Sequence, residues 1–140
     1  MVELTNEKIN IDKILSAVED PSTGAVVLFL GKVRNYAEGR AVTRMDYEAY
    51  SEMALAKMQE LEEEVKEKWP IKKIAMIHRT GRLELGEVSV AIAVASGHRQ
   101  AAFEAGRFAI DTLKETVPVW KKEHFTEGER WVKGTVPKTS

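Results

Sequence analysis

The 140-residue chain contains no cysteine. That excludes a thiol nucleophile, a thiolate zinc site and an iron–sulfur cluster. Any sulfur this protein handles must therefore arrive on another molecule. Long apolar runs are also lacking, since none approaches the ~18 residues a membrane span needs. Met1 to Asn10 has no basic stretch leading into an apolar one, so neither a membrane anchor nor a secretory signal is expected, and the cytoplasm is the expected compartment. Nor does one sign of charge dominate. Lys and Arg number 21 against 22 Asp and Glu, a formal net charge of −1. General nucleic-acid binding, which depends on many cationic contacts to phosphates, is not expected. The three histidines, His78, His98 and His124, are far apart and no HExxH pattern occurs, so no catalytic metal is expected. With no GxGxxG or Walker motif either, no cofactor is expected.

What is present is the material of one domain: 44% hydrophobic and 31% charged residues without a linker or repeat. After a brief extended piece, Ile11, Ile14, Leu15 and Val18 fall at helical spacing, closed by Pro21 and Gly24. Ala25 to Leu30 is a short continuous apolar run, expected as a strand buried on both faces. Asn35 to Arg40 reads as a loop, and Ala41 to Tyr50 alternates as a strand with one wet face. Ser51 is expected to cap a helix whose stripe is Ala54, Met58, Leu61 and Val65, ending near Trp69 and Pro70.

Ile74, Met76 and His78 alternate with Ala75, Ile77 and Arg79 as a third strand. Gly81 to Glu87 is expected as a turn or short hairpin. Val88 to Ala95 makes a fourth strand with one small-residue side. A second long helix starts near His98 or Arg99 and runs to about Thr116, apolar almost all round, so a second surface besides its own sheet is expected to cover it. Pro118 stops it, and Val119 to Val132 is expected to be extended. The order β-α-β-β-α-β-β-α-β gives an α+β fold, an antiparallel or mixed sheet with two or three helices packed on one face.

Three clusters could do chemistry. Lys32 and Arg34 follow a core strand, where residues are held rigidly. His98 and Arg99 stand at a helix start, where free amides beside an Arg suit an anion. Lys114 ends the long helix and is followed by Pro118, Trp120, Lys121 and Glu123. Lys114 shares a helix face with Arg107 and Ile110, and in an extended tail Lys121 and Glu123 point the same way. Each cluster also has a plain reading as a solvated strand end, a capped helix, or a cation complementing the helix dipole.

These clusters lie within segments that resemble the molybdopterin synthase large subunit. They are Phe29-Leu-Gly-Lys-Val-Arg-Asn35, Ile77-His-Arg-Thr-Gly81, Ser96-Gly-His-Arg99, Ala102-Phe-Glu-Ala-Gly106 and Trp120-Lys121 with Glu127-Gly-Glu-Arg-Trp131. The resemblance spans roughly residues 20 to 133 in order. It departs at Gly97, where the family often has Ala or Pro, and at Ile110, where a relative has Met.

The resemblance implies an α/β-hammerhead-like fold and a sulfurtransferase of molybdenum cofactor biosynthesis. Its partner would be a small ubiquitin-like carrier subunit ending in a Gly-Gly thiocarboxylate. Its substrate would be cyclic pyranopterin monophosphate, and its assembly a homodimer within a heterotetramer. It further implies Lys114 and Lys121 as catalytic residues. Phe29, Arg34, Ile110 and Glu123 of one chain, with His98 and Arg99 of the other, would bind substrate. Two ammonium groups ~6 Å apart at an effective dielectric of ~20 repel by roughly 3 kcal/mol, about two pKa units, which would bring one lysine toward neutrality. A non-catalytic phosphate-binding dimer and a scaffold for a ubiquitin-like partner remain as alternatives.

Overall fold

The computed structural model describes residues 1–126 and 128–135, with side chains as far as residue 129. Glu127, in the last motif quoted above, lies outside the described residues. The chain begins with β1 (Val2–Thr5), α1 (Ile11–Ala17) and β2 (Ala25–Lys32), then a short β3 (Tyr36–Ala37) that turns into the long β4 (Arg40–Ala49). Helix α2 (Ser51–Lys68) leads to β5 (Ile71–Arg79), β6 (Gly81–Glu84) and β7 (Val88–Ser96). Helix α3 (Arg99–Thr116), β8 (Val119–Phe125) and β9 (Gly128–Thr135) complete the fold.

Helix boundaries follow local chemistry. The Asn10 side chain caps α1 by accepting from the Lys13 amide at 3.1 Å. Both long helices stop where a proline follows. Trp69 before Pro70 and Val117 before Pro118 are extended, because the proline ring disfavours helical geometry in the preceding residue. Ser51 departs from expectation. It is the first helical residue of α2, the cap position is Tyr50, and no side chain closes that end.

The strands form two sheets. The first has the order β1-β5-β7-β2, with β1 and β5 parallel and the other pairs antiparallel. The second runs β3-β4-β8-β9, with β6 added to β4. The class is therefore the expected α+β with a mixed sheet. Residues 81–84 do not form a local hairpin but cross to the second sheet, where Leu83 pairs with Met45.

Two helices share one face. Ala54, Met58, Leu61 and Val65 of α2 and Ala105, Ala109, Ile110 and Leu113 of α3 meet Ile74, Met76, Val90, Ile92 and Val94 in the main core. Helix α1 covers the opposite face, with Ile14 and Val18 on Ala75, Ile77, Ala91, Ala93 and Ala95. The small side of β7 lets this seven-residue helix sit close. Strand β7 is thus the one buried on both faces, whereas β2, expected in that role, is an edge strand with Val26 exposed. A third core of Val33, Val42, Met45, Leu83 and Phe125 joins the second sheet to the end of β2. Two glycines mark close approaches. A Cβ on Gly31 would lie 2.7 Å from Val90 Cγ1, and one on Gly24 only 2.3 Å from the Gly97 carbonyl oxygen.

Candidate active site

Antiparallel pairing decides which residues share an end of the molecule. Lys32 pairs with Val88 and His78 with Val90, so β2 and β5 finish where β7 begins. Helix α3 runs back from the far end of β7, which brings Lys114 in its last turn to that same end. Arg34 is exposed there, just beyond Val33, whose backbone is tied to Glu87 and Gly86. Phe29, Ile110 and Lys114 line one open groove of about 720 Å³ between β2 and α3, along with Phe103 and Arg107.

The second sheet supplies the rest. Val117 and Pro118 turn the chain from α3 into β8, and the Pro118 carbonyl accepts the Tyr50 amide at 3.2 Å. Trp120 packs edge-on against Tyr50 at 4.4 Å between ring centroids. In β8, Lys121 stands opposite Tyr47 and Glu123 opposite Met45. Residues two apart in a strand share a face, so Lys121 and Glu123 point the same way, as the sequence implied. Glu123 is buried at 3% exposure, while Lys121 is half-buried.

The electrostatics match this geometry. The Lys114 pKa is held below the ordinary lysine value, first by burial and then by the Lys121 charge. The side chain as a whole counts as exposed, so the crowding acts on only part of it. Repulsion between the lysines, anticipated as the main cause, is thus second to desolvation. His78 is 5% exposed, and its pKa falls to about 4 through burial and the Lys114 charge, against a raising hydrogen bond with the Arg79 backbone. Burial raises the Tyr47 phenol, with the Ser89 hydroxyl opposing and the Glu123 charge adding.

The structure therefore places Phe29, Ile110 and Lys114 along one groove, with the Lys121 charge acting on Lys114 and Glu123 on the strand face of Lys121, while Arg34 is exposed beyond the end of β2 and does not line that groove. It does not bring His98 and Arg99 there within one chain. Both are exposed at the opposite end of α3, fifteen residues or about 22 Å of helix from Lys114. Sequence reasoning missed His78, Tyr47 and Ser89 as parts of this end. The available signals were His78's inward place in an alternating strand and its position in the 77–81 motif. Among the described residues no three His, Asp or Glu side chains gather as a metal ligand set.

Comparison with known proteins assigns the family. A family model described as "MoaE protein" matches residues 4–116. The chain is 42% identical over 130 residues to the molybdopterin synthase catalytic subunit of Bacillus subtilis, covering 93% of this chain and 83% of that one. The crystal structure of molybdopterin synthase from Staphylococcus aureus superposes with a TM-score of 0.89 at 37% identity, over 93% of this chain and 95% of the other. The fold is also that of a chain in the complex of subunits 1 and 2 of molybdopterin-converting factor from Helicobacter pylori, with a TM-score of 0.79 at 18% identity over 99% and 96% of the two chains. On the sequence match and the shared fold together, the chain belongs to the MoaE family of molybdopterin synthase catalytic subunits, enzymes of molybdenum cofactor biosynthesis.

Proposed function

We propose that this chain transfers sulfur from the C-terminal thiocarboxylate of a small ubiquitin-like carrier to cyclic pyranopterin monophosphate, forming the dithiolene of molybdopterin. The observation that carries this reading is the Lys114 ammonium, with its pKa lowered beside Lys121 at the mouth of a groove lined by Phe29 and Ile110. A lysine of lowered pKa exchanges a proton near neutral pH more readily than an ordinary one. The absence of cysteine fits a reaction in which the sulfur comes from the partner.

In this reading the thiocarboxylate sulfur attacks a carbon of the pterin side chain, and as the carbon–sulfur bond forms the carbon–oxygen bond at that carbon breaks, its oxygen leaving as water or staying on the phosphate. Water then cleaves the acyl–sulfur bond, and the carrier leaves as an ordinary carboxylate. Lys114 and Lys121 move the protons and stabilise the oxyanion that develops. Arg34 grips the substrate's anionic or polar edge with a planar guanidinium, and Glu123 faces the site from the strand face it shares with Lys121. His98 and Arg99 serve the site of a second copy, which accounts for their distance from Lys114. Phe103, 63% exposed on α3, and Val26, 48% exposed on the β2 edge, offer the apolar surface for that dimer. The Helicobacter pylori chain that shares this fold stands in a complex of subunits 1 and 2, an arrangement with which a second, different subunit as partner is consistent.

The test is incubation with thiocarboxylated carrier and the cyclic pterin, with product followed by mass spectrometry. Two sulfurs gained per pterin are expected, and none when the carrier ends in a carboxylate. Equal turnover with free sulfide in place of the carrier contradicts the reading.

A further inference from the structure

We infer that Arg79 is a positioning residue for Arg34: its ion pair with Glu87 fixes the turn between β6 and β7, and that turn holds the backbone from which Arg34 projects. The inference rests on the reading of Arg34 as the group that grips the substrate, and it adds two residues outside the expected site.

Arg34 stands between two anchored residues. The register of β2 with β7 slips between Gly31 and Lys32, and past that bulge Val33 is tied to the turn that precedes β7. The Val33 amide donates to the Glu87 carbonyl at 3.0 Å, and the Val33 carbonyl accepts the Gly86 amide at 2.8 Å. On the other side, the Asn35 carbonyl accepts the Val42 amide at 2.9 Å. Val33 itself is buried in the third core with Val42, Leu83 and Phe125. The Arg34 backbone is therefore fixed as long as the turn at 84–87 keeps its shape.

Burial does not hold that turn. Glu84, Leu85 and Gly86 are all exposed, Leu85 by 44%. The Glu87 amide donates to the Glu84 carbonyl at 3.2 Å and Gly86 has a φ of 81°, the type II pattern with glycine in third place. A short exposed turn opens readily unless side chains tie it. Glu87 supplies the tie. One of its carboxylate oxygens accepts the Glu84 amide at 2.7 Å, and the other accepts from Arg79 Nη1 at 3.1 Å. Arg79 Nη2 donates to the Arg82 carbonyl at 3.4 Å, so the same guanidinium also holds the start of β6.

This pair differs from an ordinary surface ion pair, which contributes little because water screens it and two long side chains must be ordered. Here the Arg79 and Glu87 side chains are only 11% and 24% exposed. Arg79 rises from the end of β5, where it pairs with Thr5 of β1 and the Thr80 amide donates to the Thr5 carbonyl at 2.7 Å. The Glu87 carboxyl is held below the usual carboxylate value by its hydrogen bonds from Glu84 and Arg79, so it stays ionised at neutral pH. A planar guanidinium reaches the Glu87 carboxylate and the Arg82 carbonyl together, a geometry that an ammonium does not reproduce. The contacts thus run from Arg79 through the Glu87 carboxylate to the turn, and from the backbone of the turn through Val33 to Arg34.

Hydrogen exchange of backbone amides, read by NMR, tests the first link without turnover. Arg79→Leu should speed exchange of the Val33 and Gly86 amides roughly tenfold beyond any change at Ala91 and Ala93 in the middle of β7. Arg79→Lys, which keeps a charge for Glu87, should fall between Arg79→Leu and the wild type. The second link is read in binding of cyclic pyranopterin monophosphate by calorimetry. Arg79→Leu should weaken the Kd roughly fivefold in the wild-type background and leave it unchanged in the Arg34→Ala background, because the two residues act through one contact. In the sulfur-transfer assay the same variant should raise KM while kcat stays within about twofold. Unchanged exchange at Val33 and Gly86 in Arg79→Leu overturns the proposal, as does an equal loss of affinity with and without Arg34. Should that variant not fold, Glu87→Gln decides by the same two readings, since it keeps an acceptor for the Glu84 amide and removes the charge that faces Arg79. If Arg34→Ala alone leaves pterin affinity unchanged, the reading of Arg34 as the substrate's grip fails, while the exchange result still decides whether Arg79 positions it.

Discussion

Lys114 ends a helix packed on the first sheet and Lys121 lies in a strand of the second, yet the charge of Lys121 depresses the pKa of Lys114. Six residues separate them, and the turn through Val117 and Pro118 is pinned by the Tyr50 amide and by the edge contact of Trp120 with Tyr50. Two like charges attract nothing in each other, so the backbone must hold them together. Such an arrangement costs stability and is characteristic of sites that need a shifted pKa.

His78 makes folding stability sensitive to acid. Its pKa falls from 6.5 in the unfolded chain to about 4 in the fold, so below 6.5 the unfolded state binds the proton that the native state refuses. Stability should be unaffected by this group above pH 7 and should fall between pH 6.5 and 4. The full loss is of order 3 kcal/mol at about 1.4 kcal/mol per unit. Urea melts of wild type and His78→Gln at pH 7.5 and 4.5 check it. The gap between the two proteins should shift in favour of His78→Gln at the lower pH.

Gly24→Ala and Gly97→Ala should part company although the two glycines face each other. A Cβ at Gly24 meets the Gly97 carbonyl oxygen at 2.3 Å, whereas a Cβ at Gly97 meets nothing within 4 Å. Overpacking of this kind typically costs about 1–3 kcal/mol, and an accommodated surface substitution less than about 0.5. Thermal melts of the pair check the difference.

Much of the fold was legible because its signals are local. The stripe Ala54, Met58, Leu61 and Val65 declared α2, and the prolines at 70 and 118 set both helix ends. The alternation that put Lys121 and Glu123 on one face needed only an extended tail. What could not be read was which element meets which. An apolar run such as Ala25–Leu30 suits either a central or an edge strand, because its neighbours are chosen by distant residues. The pairing of β6 with β4 joins residues nearly forty apart, and no turn signal announces it. His78, Tyr47 and Ser89 come from three different strands, so nothing in their spacing linked them to Lys114.

Arg34→Lys should weaken pterin binding although the charge is kept, since an ammonium cannot reproduce the two parallel hydrogen bonds of a guanidinium. A loss of roughly 1.4 kcal/mol, about tenfold in Kd, is expected for one charge-assisted bond. Titration calorimetry with the cyclic pterin measures it. Unchanged affinity would remove Arg34 from the site.

Mixing Arg99→Ala protomers with Lys114→Ala protomers should recover part of the activity that each lacks alone. If one site draws on Arg99 of one copy and Lys114 of the other, a hybrid dimer contains one intact site. Subunit exchange is verified by native mass spectrometry before the assay. A mixture as inactive as its parents despite exchange would contradict the shared site.

The most direct measurement of the central claim is the turnover of Lys114→Ala and Lys121→Ala with thiocarboxylated carrier and cyclic pterin. Lys66→Ala is the control, because Lys66 is exposed in the last turn of α2 with Glu62 and Glu63 as neighbours. Melting curves confirm that all three fold. Removing a general acid or base costs roughly 10²- to 10⁴-fold in rate, and removing a surface charge almost nothing. Lys114→Ala should fall in that range, with Lys121→Ala less severe. Rates for both within about threefold of the control, a difference under 1 kcal/mol, would make the two lysines ordinary helix-end and strand charges and contradict the account.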